Sequence, residues 1–257
     1  MCAVSYLNTV PLVWGFLKGP LRDEFDLSFA LPSECAEQVR RGEADIGIVP
    51  VVELPSLGLE IIRGTGIACG GPVRSILLVS KKPPATIRTL AADKASRTSV
   101  ALAQIVLEQR YGAEPEVLPE PANLDRMLAT ADAALIIGDP ALRLDPAALP
   151  YIVLDLGAEW VNMTGLPMVF AAWAGRREIV TRDLEAVFAD SYAYGREHIA
   201  EIAREAEQRG IPASVAAHYL TDHIVFELGE REYAGMELFL SHASRLRTLD
   251  VTGVRSL

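Results

Sequence analysis

The residues able to do chemistry in this chain are mostly uncharged hydrogen-bond donors set where strands end and helices begin. Asn8 is the first of them. Residues 2–7 read as a short strand, and Asn8 or Thr9 suits the N-cap of a helix with Pro11 in its first turn and Gly19 as its stop. An uncharged amide at a strand's carboxyl end, beside unpaired helix N–H groups, stands where open α/β sheets bind ligands. A second group lies at 96–112, where Ser96, Thr98 and Ser99 compete as caps around Arg97 and Gly112 ends the helix. That helix mouth suits an anion, because its exposed N–H groups and dipole favour negative charge; the plainer reading is an ordinary cap with a solvated arginine. Two carboxylates follow apolar strands: Glu53 just beyond Pro50, and Asp139 after Gly138. Asp139 reads either as a ligand or catalytic group on a strand-end loop or as turn chemistry before Pro140.

Other chemistries find no pattern. His198, His218, His223 and His242 all fall in the last quarter of the chain, and His218 and His223 are five apart, so they do not share a helix face. Structural or solvent roles are expected for all four. Cys2, Cys35 and Cys69 are widely spaced and odd in number, which predicts reduced thiols rather than a disulfide or zinc framework. Gly64, Gly66, Gly70 and Gly71 do not match the dinucleotide-binding spacing, and turns or close backbone approach explain them better. No metal and no cofactor are expected.

The elements that must position these groups follow in a regular order. After the first helix come a β-rich piece at 25–30, a helix from Pro32 to its stop at Gly42, and an apolar strand through 44–50. This β-α-β-α-β order predicts a parallel sheet. Residues 59–80 read as two β-rich pieces around the glycine cluster, the second continuing from 73 to 80 out of one lobe toward KKPP at 81–84. The pattern then restarts: a strand at 86–91, the helix of 96–112, a strand at 116–118, a helix capped by Asn123 and an apolar strand before Asp139. A return crossing is expected within 151–175, with the small polar loop 162–167 containing Gly165 ahead of a buried strand. Helices at 181–210, 212–226 and 230–249 complete the chain.

Two crossings imply an α/β fold of two lobes with a ligand cleft between them. The first lobe is expected to comprise 1–80 plus 170–257, and the second 81–169. A chain of 257 residues, half of them hydrophobic, suffices for both cores. The formal charge of −10 argues against wholesale nucleic-acid binding and favours a soluble cytosolic protein. There is no basic n-region and no apolar run of membrane-span length, so neither a signal peptide nor a membrane partner is expected.

Six segments, SYLNTVPL, SECAEQVRRGEADIGIVPVVE, GGPVRSILLVS, SRTSVALAQIVLEQRYG, IIGDPAL and WVNMTGLPMVFAAWAG, resemble in order and spacing the chorismate dehydratase family of the futalosine route to menaquinone. The likeness extends to about Arg176 and is weaker beyond it. It implies a type II periplasmic-binding-protein-like fold used as a cytoplasmic, cofactor-independent hydro-lyase. The implied reaction converts chorismate to 3-[(1-carboxyvinyl)oxy]benzoate. On this likeness Asn8 is the expected catalytic residue, donating to a carboxylate or to the departing hydroxyl. Ser75 matches a position suited to a substrate carboxylate, and Thr98 and Ser99 face it from the opposite lobe. Arg74 and Arg97 are expected to attract the dianion, and Asp139 and Gly165 complete the expected substrate-binding set. The sibling dihydroxynaphthoate synthase and a solute-binding protein for a small anion share the expected fold, but the SYLN start favours the dehydratase.

Overall fold

The computed structural model describes residues 1–93 and 97–246; Ser96, one of the expected caps, lies outside them, as does the expected last helix beyond 246. The strands are β1 (Cys2–Val4), β2 (Ser28–Ala30), β3 (Ile46–Pro50), β4 (Glu60–Cys69), β5 (Ile76–Ser80), β6 (Thr89–Ala92), β7 (Glu116–Pro119), β8 (Ala133–Ile137), β9 (Ile152–Asp155), β10 (Met168–Gly175) and β11 (Val225–Leu228). They form a six-stranded sheet, β11-β4-β10-β3-β1-β2, and a five-stranded sheet, β7-β6-β8-β5-β9.

The first sheet begins as its sequence order requires, with β1 paired parallel to β2 and β3. β10 then returns antiparallel between β3 and β4. Every residue of β3, β5, β8 and β10 is buried, which explains why these segments are continuous apolar runs rather than alternating ones. In the second sheet β6 is parallel to β7 and β8, while β5 is antiparallel to β8 and β9.

The crossing from the first sheet to the second lies at 70–75, earlier than KKPP. Gly70, Gly71 and Pro72 end β4, and the buried ILLVS of β5 pairs with β8 and β9. Residues 76–80, expected in the first lobe, thus belong to the second sheet. The return crossing is the short link between the helix Leu156–Thr164 and β10, which starts at Met168, directly after the expected loop 162–167.

The tail differs from expectation in two places. The helix expected over 181–210 divides at His198 into Arg182–Glu197 and Ile199–Glu205, whereas Gly195 stays inside the first piece. There Gly195 lets the helix cross close to the first helix, Val10–Leu17, and the Ser191 hydroxyl donates to the Leu12 carbonyl at 2.8 Å. The helix expected over 212–226 covers only Ala213–His218; a π-helical turn, Tyr219–His223, follows, and β11 adds to the open edge of β4. In β11 Phe226 and Leu228 are buried and Glu227 between them is exposed, the period of two of a strand.

Trp14, Trp173 and Phe188 are fully buried in the first lobe's core, where Phe16 and Phe25 meet Phe188 edge to face. Cys2, Cys35 and Cys69 are buried free thiols. The four histidines each engage a neighbour: Tyr194 and Pro72 carbonyls for His198 and His223, the side chains of Asp222 and Gln109 for His218 and His242. Among the described residues no group of His, Cys, Asp and Glu is placed to hold a metal, and no helix is long and apolar enough to cross a membrane.

Candidate active site

β1 does not pass directly into the first helix. Leu7–Thr9 forms a single 3₁₀ turn, and neither Asn8 nor Thr9 caps the helix with its side chain. The amide of Asn8 is therefore not spent on capping. Its Oδ1 is buried and has no hydrogen-bond partner among the described residues, while the amide lies beside the Tyr219 hydroxyl. A buried amide oxygen left unpaired costs about 1–3 kcal/mol, which a ligand donor at this place would recover.

The turn bearing Asn8 is fixed from the other lobe. The Asp139 carboxylate accepts from the Leu7 N–H at 2.8 Å and from Arg209 at 3.0 Å, and the same Arg209 nitrogen donates to the Ser5 carbonyl at 2.6 Å. Asp139, expected in the substrate-binding set, instead joins the lobes, with each of its oxygens already bonded within the protein. Gly138 beside it has φ +62°, and a Cβ there would stand 2.9 Å from the Tyr6 ring. Burial, with Asp93 and Asp139 nearby, pushes the Tyr6 hydroxyl up to about 12, so it remains a neutral donor at neutral pH.

Ser75 ends the crossing segment. Asp155 organises that segment by accepting from the N–H groups of Val73, Arg74 and Ala158 at 2.9, 2.6 and 3.0 Å. Arg74 takes φ +65°, a left-handed conformation unusual for a residue with a side chain. Its guanidinium donates to the carbonyls of Ala141 and Leu144. Arg74, expected to attract the ligand, thus holds the left-handed turn that precedes Ser75, and its guanidinium is engaged by those carbonyls. Ser75 is 1% exposed and its Oγ accepts from the Tyr219 hydroxyl at 2.9 Å.

Thr98 and Ser99 occupy the first turn of the buried helix Arg97–Tyr111 and are nearly inaccessible. The Val52 N–H reaches Thr98 Oγ1 at 3.4 Å across the lobes. Arg97 donates to Glu53 Oε2 at 2.5 Å, so the arginine at this helix mouth is already paired by the opposite lobe. Burial raises the Glu53 carboxyl above its ordinary range, with Arg97 pulling in the opposite direction.

These residues enclose one cavity of about 70 Å³. Its polar wall contains Tyr6, Asn8, Ser75, Arg97, Thr98 and Ser99; Val4, Ile67, Val73, Ile76, Ile137 and Phe170 supply apolar surface. Five of the eight expected site residues therefore meet at one place, and Arg74, Asp139 and Gly165 do not line it. Gly165 is the left-handed stop of the helix Leu156–Thr164, with φ +73°, and its carbonyl accepts from Arg231.

Three contributors escaped the sequence. Tyr6 lies inside the SYLN segment, two residues before Asn8, with no spacing signal of its own. Phe170 is displaced by a register shift between Val169 and Ala171 where β10 pairs with β4. Such a bulge re-aims a side chain and has no local signature here. Tyr219 lies in a segment read as packing helix, 144 residues from its partner Ser75.

The sequence profile described as menaquinone biosynthesis matches residues 1–245. The chorismate dehydratase of Thermus thermophilus is 29% identical over 255 residues, covering 91% of each chain. Among solved structures, protein AF1704 from Archaeoglobus fulgidus superposes with a TM-score of 0.74 at 17% identity, covering 95% of this chain and 96% of that one. The periplasmic aliphatic sulphonate-binding protein SsuA of Escherichia coli gives a TM-score of 0.61 at 18% identity, covering 93% and 84%. These likenesses show the fold, which is periplasmic-binding-protein-like α/β. Because the family profile runs through both sheets and every segment that walls the cavity, this chain belongs to the menaquinone-biosynthesis family.

Proposed function

We propose that this protein is a hydro-lyase that dehydrates chorismate to 3-[(1-carboxyvinyl)oxy]benzoate in the cavity between its lobes, without a cofactor. The observation that carries this reading is the convergence of the uncharged donors Asn8, Ser75, Thr98 and Ser99 on one cavity, beside an arginine already paired with Glu53. Chorismate is a dianion bearing a ring hydroxyl. Hydroxyls and the N–H groups of a helix mouth suit its carboxylates, and an unpaired amide oxygen suits a hydroxyl. The family membership and the dehydratase relative support the same substrate.

The reaction removes the ring C3 hydrogen as a proton and breaks the C4–O bond, releasing water overall as the ring becomes aromatic. Positioned donors suffice for this, because aromatisation supplies driving force while clamping supplies the geometry. The proton acceptor in this reading is the substrate's own enolpyruvyl carboxylate. Asp139 is held between Leu7 and Arg209, and Glu53 is paired with Arg97, so neither stands free as a base. A general base contributes about 10²–10⁴ in rate. Asp139→Asn and Glu53→Gln are therefore expected to keep kcat within about tenfold of the parent. A larger fall in either, with product affinity intact, would return that carboxylate to the role of base.

The Arg97–Glu53 pair adds a pH dependence. The Glu53 carboxyl has a raised pKa, so acidification from neutrality protonates it before an ordinary carboxylate. Arg97 then loses its partner and becomes available to a ligand carboxylate. Product affinity is expected to rise as the pH falls through the Glu53 pKa, and Glu53→Gln should flatten that dependence. Titration calorimetry at a series of pH values reads it directly.

A cavity of about 70 Å³ is smaller than the roughly 300–1,000 Å³ usual for small-molecule pockets, so the lobes must separate to admit a six-membered ring. Incubating purified protein with chorismate and following the aromatic ether by absorbance and mass tests the whole reading. A solute-binding protein on the same fold would return chorismate unchanged.

A further inference from the structure

We propose that Tyr219 is a positioning residue of this site: its hydroxyl orients Ser75 as a donor toward the cavity. The inference rests on the dehydratase reading above. Tyr219 is 1% exposed and opens the π-helical turn Tyr219–His223. Its hydroxyl donates to Ser75 Oγ at 2.9 Å, and the Asn8 amide lies beside it.

The direction of these bonds matters. A hydroxyl has one hydrogen to give and two lone pairs to accept with. Tyr219 spends its hydrogen on Ser75, so Ser75 Oγ is an acceptor toward Tyr219 and its own hydrogen remains to be given elsewhere. The cavity that Ser75 lines is where that hydrogen finds a ligand oxygen. Burial keeps the Tyr219 hydroxyl protonated far above neutrality, so the direction does not reverse in the working pH range. The Asn8 Oδ1, buried and unpaired, remains for a neutral ligand donor. Ser75 so oriented takes an anionic oxygen of the ligand, while the unpaired Asn8 oxygen suits its hydroxyl.

A double-mutant cycle tests this. Tyr219→Phe keeps the ring and removes the hydroxyl alone. Because Ser75 contacts a ligand group that is anionic in both ground and transition states, its loss should raise KM by about tenfold and leave kcat largely unchanged. Tyr219→Phe and Ser75→Ala are each expected to show this rise, and the double variant should be no worse than the poorer single one. Multiplying effects in the double variant, or an unchanged KM in Tyr219→Phe with only a lower melting temperature, would overturn the inference. Should the Phe variant fold poorly, Ser75→Ala still decides, since an unchanged KM there overturns it equally. Parent protein that leaves chorismate untouched removes both the function and the inference, whereas active parent with an additive cycle removes the inference alone.

Discussion

Replacing Asn8 with alanine is expected to lower kcat for chorismate by about 10²–10³ while leaving KM within a few-fold, the size seen when a preorganised donor to a developing anion is removed. The amide has no capping bond to lose, and its Oδ1 is already unpaired, so folding loses little with it. The melting temperature should accordingly stay close to that of the parent. Asn8→Asp should do still worse in turnover. It is nearly the same shape, but it would place an anion in a cavity meant for a dianion, where repulsion opposes binding. Steady-state kinetics with a thermal melt separates the two effects. If Asn8→Ala turned over at the parental rate, leaving-group assistance by this residue would be ruled out and the site would have to be reassigned.

The largest stability effect is expected not in the cavity but behind it. A Cβ on Gly195 would stand 2.0 Å from the Pro11 carbonyl oxygen and 2.8 Å from its carbon. Those atoms are backbone, so no side chain can swing aside. Gly195→Ala must push the helix Arg182–Glu197 off the helix Val10–Leu17, with an expected loss of about 3 kcal/mol, the upper part of the range for overpacked cores. At about 2–4 °C per kcal/mol for a chain of this size, the melt should fall by roughly 6–12 °C. The same seam brings Ser191 against Gly15, where a Cβ would lie 2.5 Å from the Ser191 Cα, so relaxation along the helix is blocked as well. Gly70→Ala is the control, since nothing lies within 4 Å of a Cβ there. Equal melts for Gly195→Ala and Gly70→Ala would show that the two helices are not packed as described. Activity should fall along with stability, because the displaced helix begins at the turn that holds Asn8.

The two predictions concern opposite ends of one segment. Residues 7–17 offer a free amide at the start and a close-packed apolar rod behind it. The rod is gripped by the tail through Gly195 and Ser191, and the turn is gripped by the second lobe through Asp139. A side chain meant to act on a substrate needs such support, since a displacement of about 1 Å can cost 10²-fold in rate.

Local sequence was sufficient wherever one segment settles its own conformation. Gly42 and Gly112 end their helices in the left-handed region as read, and Asn123 caps its helix by accepting from the Arg126 N–H at 2.9 Å. The apolar runs of β3, β5, β8 and β10 are short and end at turn residues, which suits strands covered on both faces better than helices, and all four are buried strands. What residue types alone did not decide was the partner of each polar group. Asp139 and Asn8 looked alike as polar groups at strand ends, yet one is tied to Leu7 and Arg209 while the other keeps an unpaired oxygen. Arg74 and Arg97 looked alike as cations, yet one braces a turn and the other faces the cavity. The assignment of β5 to its sheet, the bulge that turns Phe170 inward and the meeting of Tyr219 with Ser75 also depend on distant chain. Short-range propensity acts over a few residues, whereas a hydrogen bond across 144 residues exists only after both sheets have formed and closed on each other.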